Sequence, residues 1–194
     1  MSLSAPALLL GPSISSLGTM FARIVLLLSV LIIGVAVWVL WPIIIGAQWI
    51  PTPKDVVRKM LSFADVGQGD TLIDMGSGDG RIILLAAQEF GASAFGIEAD
   101  PLRVLITRIR IRLKGLEDQV EVIWGNFFKS DLGAASVVTI YQSTEINKKL
   151  KQQLEEQLHP GTRVVTYSFI FEGWEPVKVD ESTKLYLYEI KSVK

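Results

Sequence analysis

Hydrophobic residues follow two different patterns along this chain, one continuous and one periodic. Residues 24 to 53 carry no charge, because Arg23 is the only charged residue before Lys54. From Pro51 onward, short apolar runs alternate with stretches in which apolar residues recur every three or four positions. The first pattern is typical of a helix in lipid and the second of strands alternating with amphipathic helices. We therefore expect a flexible or interfacial tail at 1–22, a transmembrane anchor helix at 23–50 and a globular domain at 51–194.

The prediction of an anchor rests on length and on the flanking residues. Its core, 24–47, would form a helix of roughly 36 Å, against roughly 30 Å of hydrocarbon in a bilayer. Trp38, Trp41 and Trp49 crowd toward its C-terminal end, as aromatic residues do at a membrane interface. A cleaved signal peptide is the alternative, but the apolar run is too long for one and few basic residues precede it.

Basic residues beside the span predict its orientation. Lys54, Arg58 and Lys59 follow it closely, whereas Arg23 alone precedes it. Basic residues concentrate on the cytoplasmic side of membrane helices. We expect a single-pass membrane protein of a bacterial inner membrane, in contact with lipid through one helix and with its globular domain on the cytoplasmic side.

The globular segment predicts an alternation of strands and helices. An amphipathic helix follows Pro53, and further helices are predicted up to Phe90, from Asp100-Pro101 and over 145–158. Strands are predicted from Thr71, then over 94–98, 120–124, 135–141 and 162–169, with a final hairpin-like pair near 177–179 and 184–190. This order is typical of an α/β fold, a Rossmann-like, doubly wound, seven-stranded and mostly parallel sheet with helices on both faces. Ligands of such sheets bind at the carboxyl ends of the strands.

Composition excludes several kinds of site. The chain has no cysteine and one histidine, which argues against disulfides, thiolate nucleophiles and a metal site. Its 49% hydrophobic content and mean hydropathy of +0.39 are high for a purely soluble protein. The globular segment contains 18 of the 19 basic residues, since Arg23 lies outside it, and all 20 acidic residues. Its net charge is therefore 18 − 20 = −2. This balance argues against a nucleic-acid partner.

A glycine-rich turn is predicted after the first strand, at Asp74-Met75-Gly76-Ser77-Gly78-Asp79-Gly80. Its G-x-G-x-G spacing differs from the G-x-G-x-x-G of dinucleotide sites. Asp74 and Asp79 place negative charge around the turn, which suits a cationic ligand better than a diphosphate. Glu98 lies at the end of the next strand, where a carboxylate can accept hydrogen bonds from both hydroxyls of a ribose.

The turn, Glu98 and Asn126 together resemble the first three motifs of the class I, seven-strand S-adenosylmethionine-dependent methyltransferases. The resemblance covers 51–194 and implies S-adenosyl-L-methionine as the cofactor. It implies that Asp74 holds the methionine ammonium, that Glu98 binds the ribose, and that Asn126, where the family often has Asp, meets the adenine. The implied cofactor-binding residues are Thr52, Asp74, Gly76, Ser77, Gly78, Asp79, Gly80, Glu98, Ala99, Asn126 and Phe127. For Thr52, capping the following helix is an equal alternative.

A narrower resemblance concerns the methyl acceptor. No Asn/Asp-Pro-Pro-Tyr motif follows the fourth strand, which argues against the subgroups that methylate base amines and glutamine. The anchor, the Pro51-Thr52-Pro53 segment and Tyr141 resemble the membrane-anchored protein-lysine methyltransferases related to the mitochondrial enzyme that acts on the c subunit of ATP synthase. The resemblance implies methyl transfer to lysine in a membrane-associated protein. A methyltransferase for a lipid or isoprenoid, or an inactive cofactor-binding assembly protein, remains an alternative.

Tyr141 is the candidate catalytic residue. It stands at the end of the fourth strand, where its side chain is expected to point into the crevice and contact the methyl donor or acceptor. With Phe127, Phe128 or Trp124 it would form an aromatic pocket that lowers the pKa of a lysine by desolvation. Packing in the core is the ordinary alternative for Trp124 and Phe128.

The helix that starts at Pro101 is both basic and apolar. It has no acid, and its basic residues are Arg103, Arg108, Arg110, Arg112 and Lys114. Its other face is formed by Leu102, Leu105, Ile106, Ile109 and Leu113. Such a helix in a tethered domain could rest on anionic lipid headgroups, and a solvated basic face is the more ordinary interpretation.

Overall fold

The computed structural model describes residues 14–44 and 50–191, with side chains described at 17–37 and 50–191. The chain divides into two units, Met1–Ile50 and Pro51–Lys194. This division falls at the boundary predicted before Pro51. The two units are described separately.

The first unit contains one long helix, α1 (Ile14–Ile44). It begins nine residues before the predicted anchor (23 − 14 = 9), so residues 14 to 22 of the predicted tail are helical. The stretch Leu17–Val37 has 21 residues with a mean hydropathy of 2.7, and all of its described side chains are exposed. At 1.5 Å per residue it is roughly 31 Å long, enough to cross a bilayer. The predicted tryptophan belt and residues 1 to 13 lie outside the described side chains.

The second unit is built on a seven-stranded sheet. Its strands are β1 (Thr71–Met75), β2 (Ser93–Glu98), β3 (Val120–Trp124), β4 (Val137–Ile140), β5 (Arg163–Tyr167), β6 (Lys178–Asp180) and β7 (Leu185–Glu189). Its helices are α2 (Lys54–Phe63), α3 (Arg81–Phe90), α4 (Pro101–Leu113) and α5 (Thr144–Gln157), with a 3₁₀ turn at Phe127–Lys129. The strand order is β3-β2-β1-β4-β5-β7-β6. β1 to β5 run parallel and β7 runs antiparallel to β5 and β6, which confirms the predicted fold class.

Side chains alternate between two hydrophobic cores on the faces of this sheet. Leu72 of β1 packs in the core formed with α2, α3 and α4, and Ile73 packs in the core formed with α5. Strands buried on both faces read as continuous apolar runs, which is why β1 and β4 stand out in the sequence. The order of the strands places the carboxyl ends of β1, β2 and β4 side by side at the centre of one edge.

α4 packs differently from what its apolar pattern suggests. Val104, Thr107 and Ile111 form its buried side. The five apolar residues singled out in the sequence lie outside the core, with exposed fractions of 38% for Leu102, 53% for Leu105, 39% for Ile106, 51% for Ile109 and 80% for Leu113. α4 therefore has two apolar sides, and the larger one faces solvent.

Candidate active site

The glycine-rich turn lies between β1 and α3 and is held by backbone contacts. The N–H groups of Gly76 and Ser77 both donate to the carbonyl of Ile97 in β2, at 2.9 and 3.0 Å. Gly76 and Gly80 have φ of +88° and +76°, a conformation that favours glycine. A β-carbon at Gly80 would lie 2.4 Å from Cγ2 of Thr107. Glycine at position 80 is thus required by packing against α4.

Asp74 is buried, and only half of its carboxylate is paired. Its Oδ1 accepts a hydrogen bond of 2.7 Å from the Thr139 hydroxyl of β4. Its Oδ2 is buried and has no hydrogen-bond partner in the part of the chain that the structure describes. Burial raises the pKa of Asp74 to about 7, Thr139 opposes this rise, and the charges of Glu98 and Asp79 add to it. A buried, unpaired carboxylate oxygen suits a cationic group such as an ammonium.

Glu98 ends β2 and fixes the shape of the turn. Its Oε2 accepts a hydrogen bond of 2.7 Å from the N–H of Gly78, and its Oε1 accepts one of 2.9 Å from the N–H of Asp100. Each carboxylate oxygen can accept a second hydrogen bond, so this arrangement still suits a ribose diol. Ala99 is exposed, and its carbonyl accepts from the Trp124 indole at 3.0 Å.

Asp79 differs from the expectation of free negative charge. Its carboxylate accepts from Arg81 at 2.8 and 2.9 Å, and Arg110 lies 2.8 Å away. Burial alone would raise the pKa of Asp79, but the hydrogen bonds of the two arginines outweigh it and hold the pKa at about 2. The charge of Asp79 is thereby neutralised, and Asp74 carries the unpaired oxygen of the turn.

Thr52 is tied to the same arginine. The Arg81 guanidinium donates to the Thr52 carbonyl at 2.7 Å, and the Thr52 side chain is buried. The residue before α2 is Pro53, and no side chain caps this helix. The helix-capping interpretation of Thr52 is therefore wrong, whereas its place at the cofactor pocket stays a prediction.

Gln142, which the sequence analysis missed, packs over the start of the turn. Its amide donates to the Met75 carbonyl at 3.1 Å. A β-carbon at Gly76 would lie 2.4 Å from Nε2 of Gln142 and 3.9 Å from Cε1 of Phe127. The residues after β3 and after β4 thus meet at Gly76. The only sequence signal for Gln142 was its position directly after Tyr141.

Asn126 shapes the segment after β3. Its Oδ1 accepts from the N–H of Phe128 at 3.0 Å and starts the 3₁₀ turn, and its side chain is exposed. Phe127 is half-buried and packs against Phe128 with ring centres 4.6 Å apart. Trp124 and Phe128 are exposed by 64% and 38%, so the interpretation of these two as core residues is wrong.

Tyr141 belongs to an aromatic cluster that joins the ends of β4 and β5. Its ring centre lies 4.7 Å from that of Tyr167 and 6.1 Å from that of Phe169, on which it stacks at 27°. Among the described residues, Trp124 and Phe128 make no ring contact with Tyr141. Burial raises the pKa of Tyr141, and Tyr167 adds to this, so the phenol is protonated at neutral pH. Tyr167 and Phe169 were missed, although both belong to the predicted fifth strand.

Comparisons with known proteins agree with this architecture. The family described as ANTKMT methyltransferase domain matches residues 74–178. The chain belongs to this family. A protein-lysine N-methyltransferase of Saccharolobus islandicus is 41% identical to this ANTKMT-family chain over 149 residues, 73% of this chain and 92% of that protein.

Two further similarities are informative. The mouse lysine N-methyltransferase named for the c subunit of ATP synthase is 34% identical over 105 residues, which are 54% of this chain and 42% of the mouse protein. A crystal structure described as an RNA methyltransferase from Salinibacter ruber, in complex with S-adenosyl-L-homocysteine, has a TM-score of 0.72 and 43% identity. That similarity covers 75% of this chain and 96% of the Salinibacter chain. This ANTKMT-family chain is an S-adenosylmethionine-dependent methyltransferase.

The residues present fit that cofactor. The unpaired Oδ2 of Asp74 is an acceptor for an ammonium group, and Glu98 keeps free acceptor capacity beside the exposed backbone of Gly76. The roles assigned to Thr52, Asp74, Glu98, Asn126, Phe127 and Tyr141 remain predictions.

Proposed function

We propose that this chain is a membrane-anchored methyltransferase that transfers methyl groups from S-adenosylmethionine to a lysine side chain of a membrane-associated protein. The similarity to the Saccharolobus protein-lysine N-methyltransferase carries this proposal, since it spans nearly the whole of that protein at 41% identity. The mouse relative, which by its name acts on the c subunit of ATP synthase, supports a lysine acceptor as well.

The aromatic cluster supplies the chemistry that a lysine acceptor needs. S-adenosylmethionine carries the methyl group on a positively charged sulfur. The lysine must be neutral for its lone pair to form the new N–C bond, while the S–C bond to the methyl group would break and S-adenosylhomocysteine would leave. Deprotonating a lysine of pKa about 10.4 at pH 7 costs roughly 4.6 kcal/mol. Tyr141, Tyr167 and Phe169 would surround the amine with aromatic faces and remove water, which lowers its pKa.

The Tyr141 hydroxyl would position the amine in this arrangement. As a protonated phenol it can accept a hydrogen bond from the amine N–H or donate one to a nearby acceptor, which fixes the direction of the nitrogen lone pair. Asp74 and Glu98 would hold the cofactor on the other side, through its ammonium and its ribose. The proton released from the methylated amine passes to solvent.

The location at a membrane is supported by α1, whose described side chains are all exposed and mostly apolar, apart from Arg23 and a few small or polar residues. The charges at Lys54, Arg58 and Lys59 favour the cytoplasmic side for the globular unit. An enzyme anchored in this way meets proteins of the same membrane at high effective concentration.

RNA is the second candidate acceptor, because the Salinibacter structure is described as an RNA methyltransferase. The net charge of −2 in the globular segment counts against it, since a backbone of phosphates is bound mainly by basic surface. The two candidates differ in where the transferred methyl group is found.

The test is to incubate the full chain with methyl-labelled S-adenosylmethionine and the membranes and RNA of its source cells. We expect label in protein, on lysine after digestion, and a large loss of label with Glu98→Ala. Label in RNA or in lipid would replace the acceptor that we propose. Calorimetry with unlabelled cofactor is the companion measurement, and no binding at high cofactor concentration would contradict a methyltransferase function.

A further inference from the structure

The outer side of α4 forms a stripe of exposed apolar side chains on the globular unit. Its members, all exposed by 38% or more, are Leu102, Leu105, Ile106, Ile109 and Leu113. At about 100° per residue, these five positions fall within one sector of about 100°, opposite the buried side made by Val104, Thr107 and Ile111. The apolar stripe of α4 is thus continuous along the helix for about 16 Å.

Basic residues border this stripe on one side and close it at the C-terminal end. Arg108 and Arg112 fall beside the stripe, and the Arg112 side chain is 86% exposed. Lys114 follows directly after the helix and is exposed as well. The Arg112 guanidinium lies 3.9 Å from Glu117, at the outer limit of an ion pair. The border of the stripe therefore presents positive charge in a unit whose total charge is negative.

Trp124 stands beside the other end of the stripe. Its indole N–H donates to the Ala99 carbonyl, directly before the residue that caps α4, and its ring is 64% exposed. An apolar stripe with arginines at its border and a tryptophan at one end has the composition of a helix that lies in a lipid interface.

We propose that the apolar stripe of α4, with Arg108, Arg112, Lys114 and Trp124, is a docking surface for an anionic lipid bilayer. The proposal extends the proposed membrane location, and three observations favour a bilayer as the occupant. The stripe is flanked by cations that match anionic headgroups. The same chain carries a helix apolar enough to span a membrane, and only residues 45 to 50 separate it from the globular unit. The apolar centre of the stripe offers nothing to the phosphates of RNA.

The absence of cysteine from the sequence makes a site-specific test simple. Four single-cysteine variants are each labelled with an environment-sensitive fluorophore. Two carry the cysteine on the stripe, Leu105→Cys and Ile109→Cys. The other two are Lys149→Cys, at an exposed position of α5, and Leu27→Cys in α1. The full chain is reconstituted in phosphatidylcholine vesicles that contain phosphatidylglycerol and a lipid with a nitroxide on its acyl chain. The nitroxide quenches only those labels that lie in lipid.

We expect several-fold stronger quenching at positions 105 and 109 than at the matched control position 149. Vesicles without phosphatidylglycerol should give weaker quenching at positions 105 and 109. Arg108→Gln combined with Arg112→Gln should lower the docking constant by about 25-fold, at roughly five-fold for each basic residue.

The outcomes separate docking from anchoring. Quenching at position 27 without quenching at 105 and 109 would overturn the docking surface and leave the anchor. Quenching at 105 and 109 without quenching at 27 would support the surface and remove the anchor. A label at 105 whose emission shows shielding from water, without quenching by the lipid nitroxide, would mean that a second copy or another protein covers the stripe. A change in the emission of this label on addition of RNA, but not in vesicles, would assign the surface to RNA. Either of these last two results would overturn the proposal.

Discussion

The two oxygens of the Asp74 carboxylate have unlike surroundings, and this difference makes the residue sensitive to pH. Oδ1 is bound by Thr139, whereas Oδ2 is buried without a partner among the described residues. Burial is the main reason that its pKa rises to about 7. In the proposed arrangement the ammonium group of the cofactor binds Oδ2, which requires the ionised carboxylate. Cofactor binding and deprotonation of Asp74 would then favour each other.

The first prediction concerns cofactor affinity. It should rise with pH by at most about tenfold per pH unit below about 7 and level off above about 8, because a larger fraction of Asp74 is ionised. Asp74→Asn should bind more weakly and without this slope. Calorimetry in buffers with different ionisation enthalpies measures both the affinity and the proton released. A wild-type affinity that is flat over this range would contradict the role of Asp74.

The second prediction concerns the free energy of unfolding, which should fall as pH rises, in the opposite direction to the cofactor affinity. The folded state keeps the Asp74 proton up to about pH 7, whereas the unfolded chain loses it near the ordinary pKa of 3.8. Between these values the folded state binds more protons, so this residue makes stability fall as pH rises, by up to about 1.4 kcal/mol per unit. In urea unfolding at several pH values, Asp74→Asn should lack this contribution. Equal slopes in both proteins would show that the Asp74 carboxylate is already ionised.

A third prediction concerns Tyr141. Tyr141→Phe keeps the ring against Tyr167 and Phe169 but loses the hydroxyl, so turnover should fall by about tenfold, the value of one hydrogen bond. Cofactor affinity should stay unchanged. Tyr186→Phe on β7, which also removes a hydroxyl from a half-buried tyrosine, is the control. Turnover equal to wild type in Tyr141→Phe would leave Tyr141 with a packing role only.

At the scale of elements, hydrogen bonds and side-chain packing hold α4 against the glycine-rich turn. The Thr107 hydroxyl donates to the Gly78 carbonyl at 3.3 Å, and the Arg110 guanidinium donates to the Asp79 carbonyl at 2.7 Å. Thr107 is fully buried against Gly80. The position of α4 therefore sets the conformation of the turn.

The fourth prediction tests this contact. Gly80→Ala should destabilise the domain by about 2 to 4 kcal/mol, because it combines an unfavourable φ with a clash against Thr107. Gly115→Ala is the matched control, since its φ of +63° is similar but its surroundings are open, and it should cost only about 1 kcal/mol. Chemical unfolding measures both. Equal losses of unfolding free energy in the two variants would show that the Thr107 side chain moves aside without destabilising the domain.

Local patterns were sufficient to predict the order of strands and helices and the first two motifs of the site. β1 is apolar on both faces, and Glu98 ends β2 at a spacing from the glycine-rich turn that is typical of the family, so both could be found in the sequence. The side of α4 that packs inward could not, because apolar residues occupy two opposite sides of the helix. The neutralisation of Asp79 was also hidden, since Arg110 lies 31 positions away and meets it only in the folded chain.

At the scale of the whole molecule, the charged residues are distributed very unevenly between the two units. All 20 acidic residues and 18 of the 19 basic ones lie after Pro51, whereas the preceding unit carries Arg23 alone. The solved Salinibacter chain is matched over 96% of its length by 75% of this chain. The globular unit thus corresponds to nearly all of a protein chain whose structure is known.

The fifth prediction follows from this correspondence. A protein limited to residues 51–194 should fold and bind S-adenosylmethionine within about threefold of the full chain, because all of the predicted cofactor-binding residues lie in this unit. Its labelling of membrane proteins should fall by at least about tenfold, since the effective concentration given by the anchor is lost. Filter-binding assays with membranes compare the two proteins. Undiminished labelling by 51–194 would show that α1 does not deliver the enzyme to its substrate.

The place of β7 between β5 and β6 has a consequence for how this domain forms. β7 pairs with β5 through residues 163 to 167 on one side and with β6 through residues 178 to 180 on the other. It is the last described strand along the chain, yet it is an interior strand of the sheet. During synthesis, the edge of β5 that β7 will cover must therefore stay unpaired until the other described strands have been made. For that interval the nascent protein exposes an unpaired strand edge, which is open to pairing with other chains.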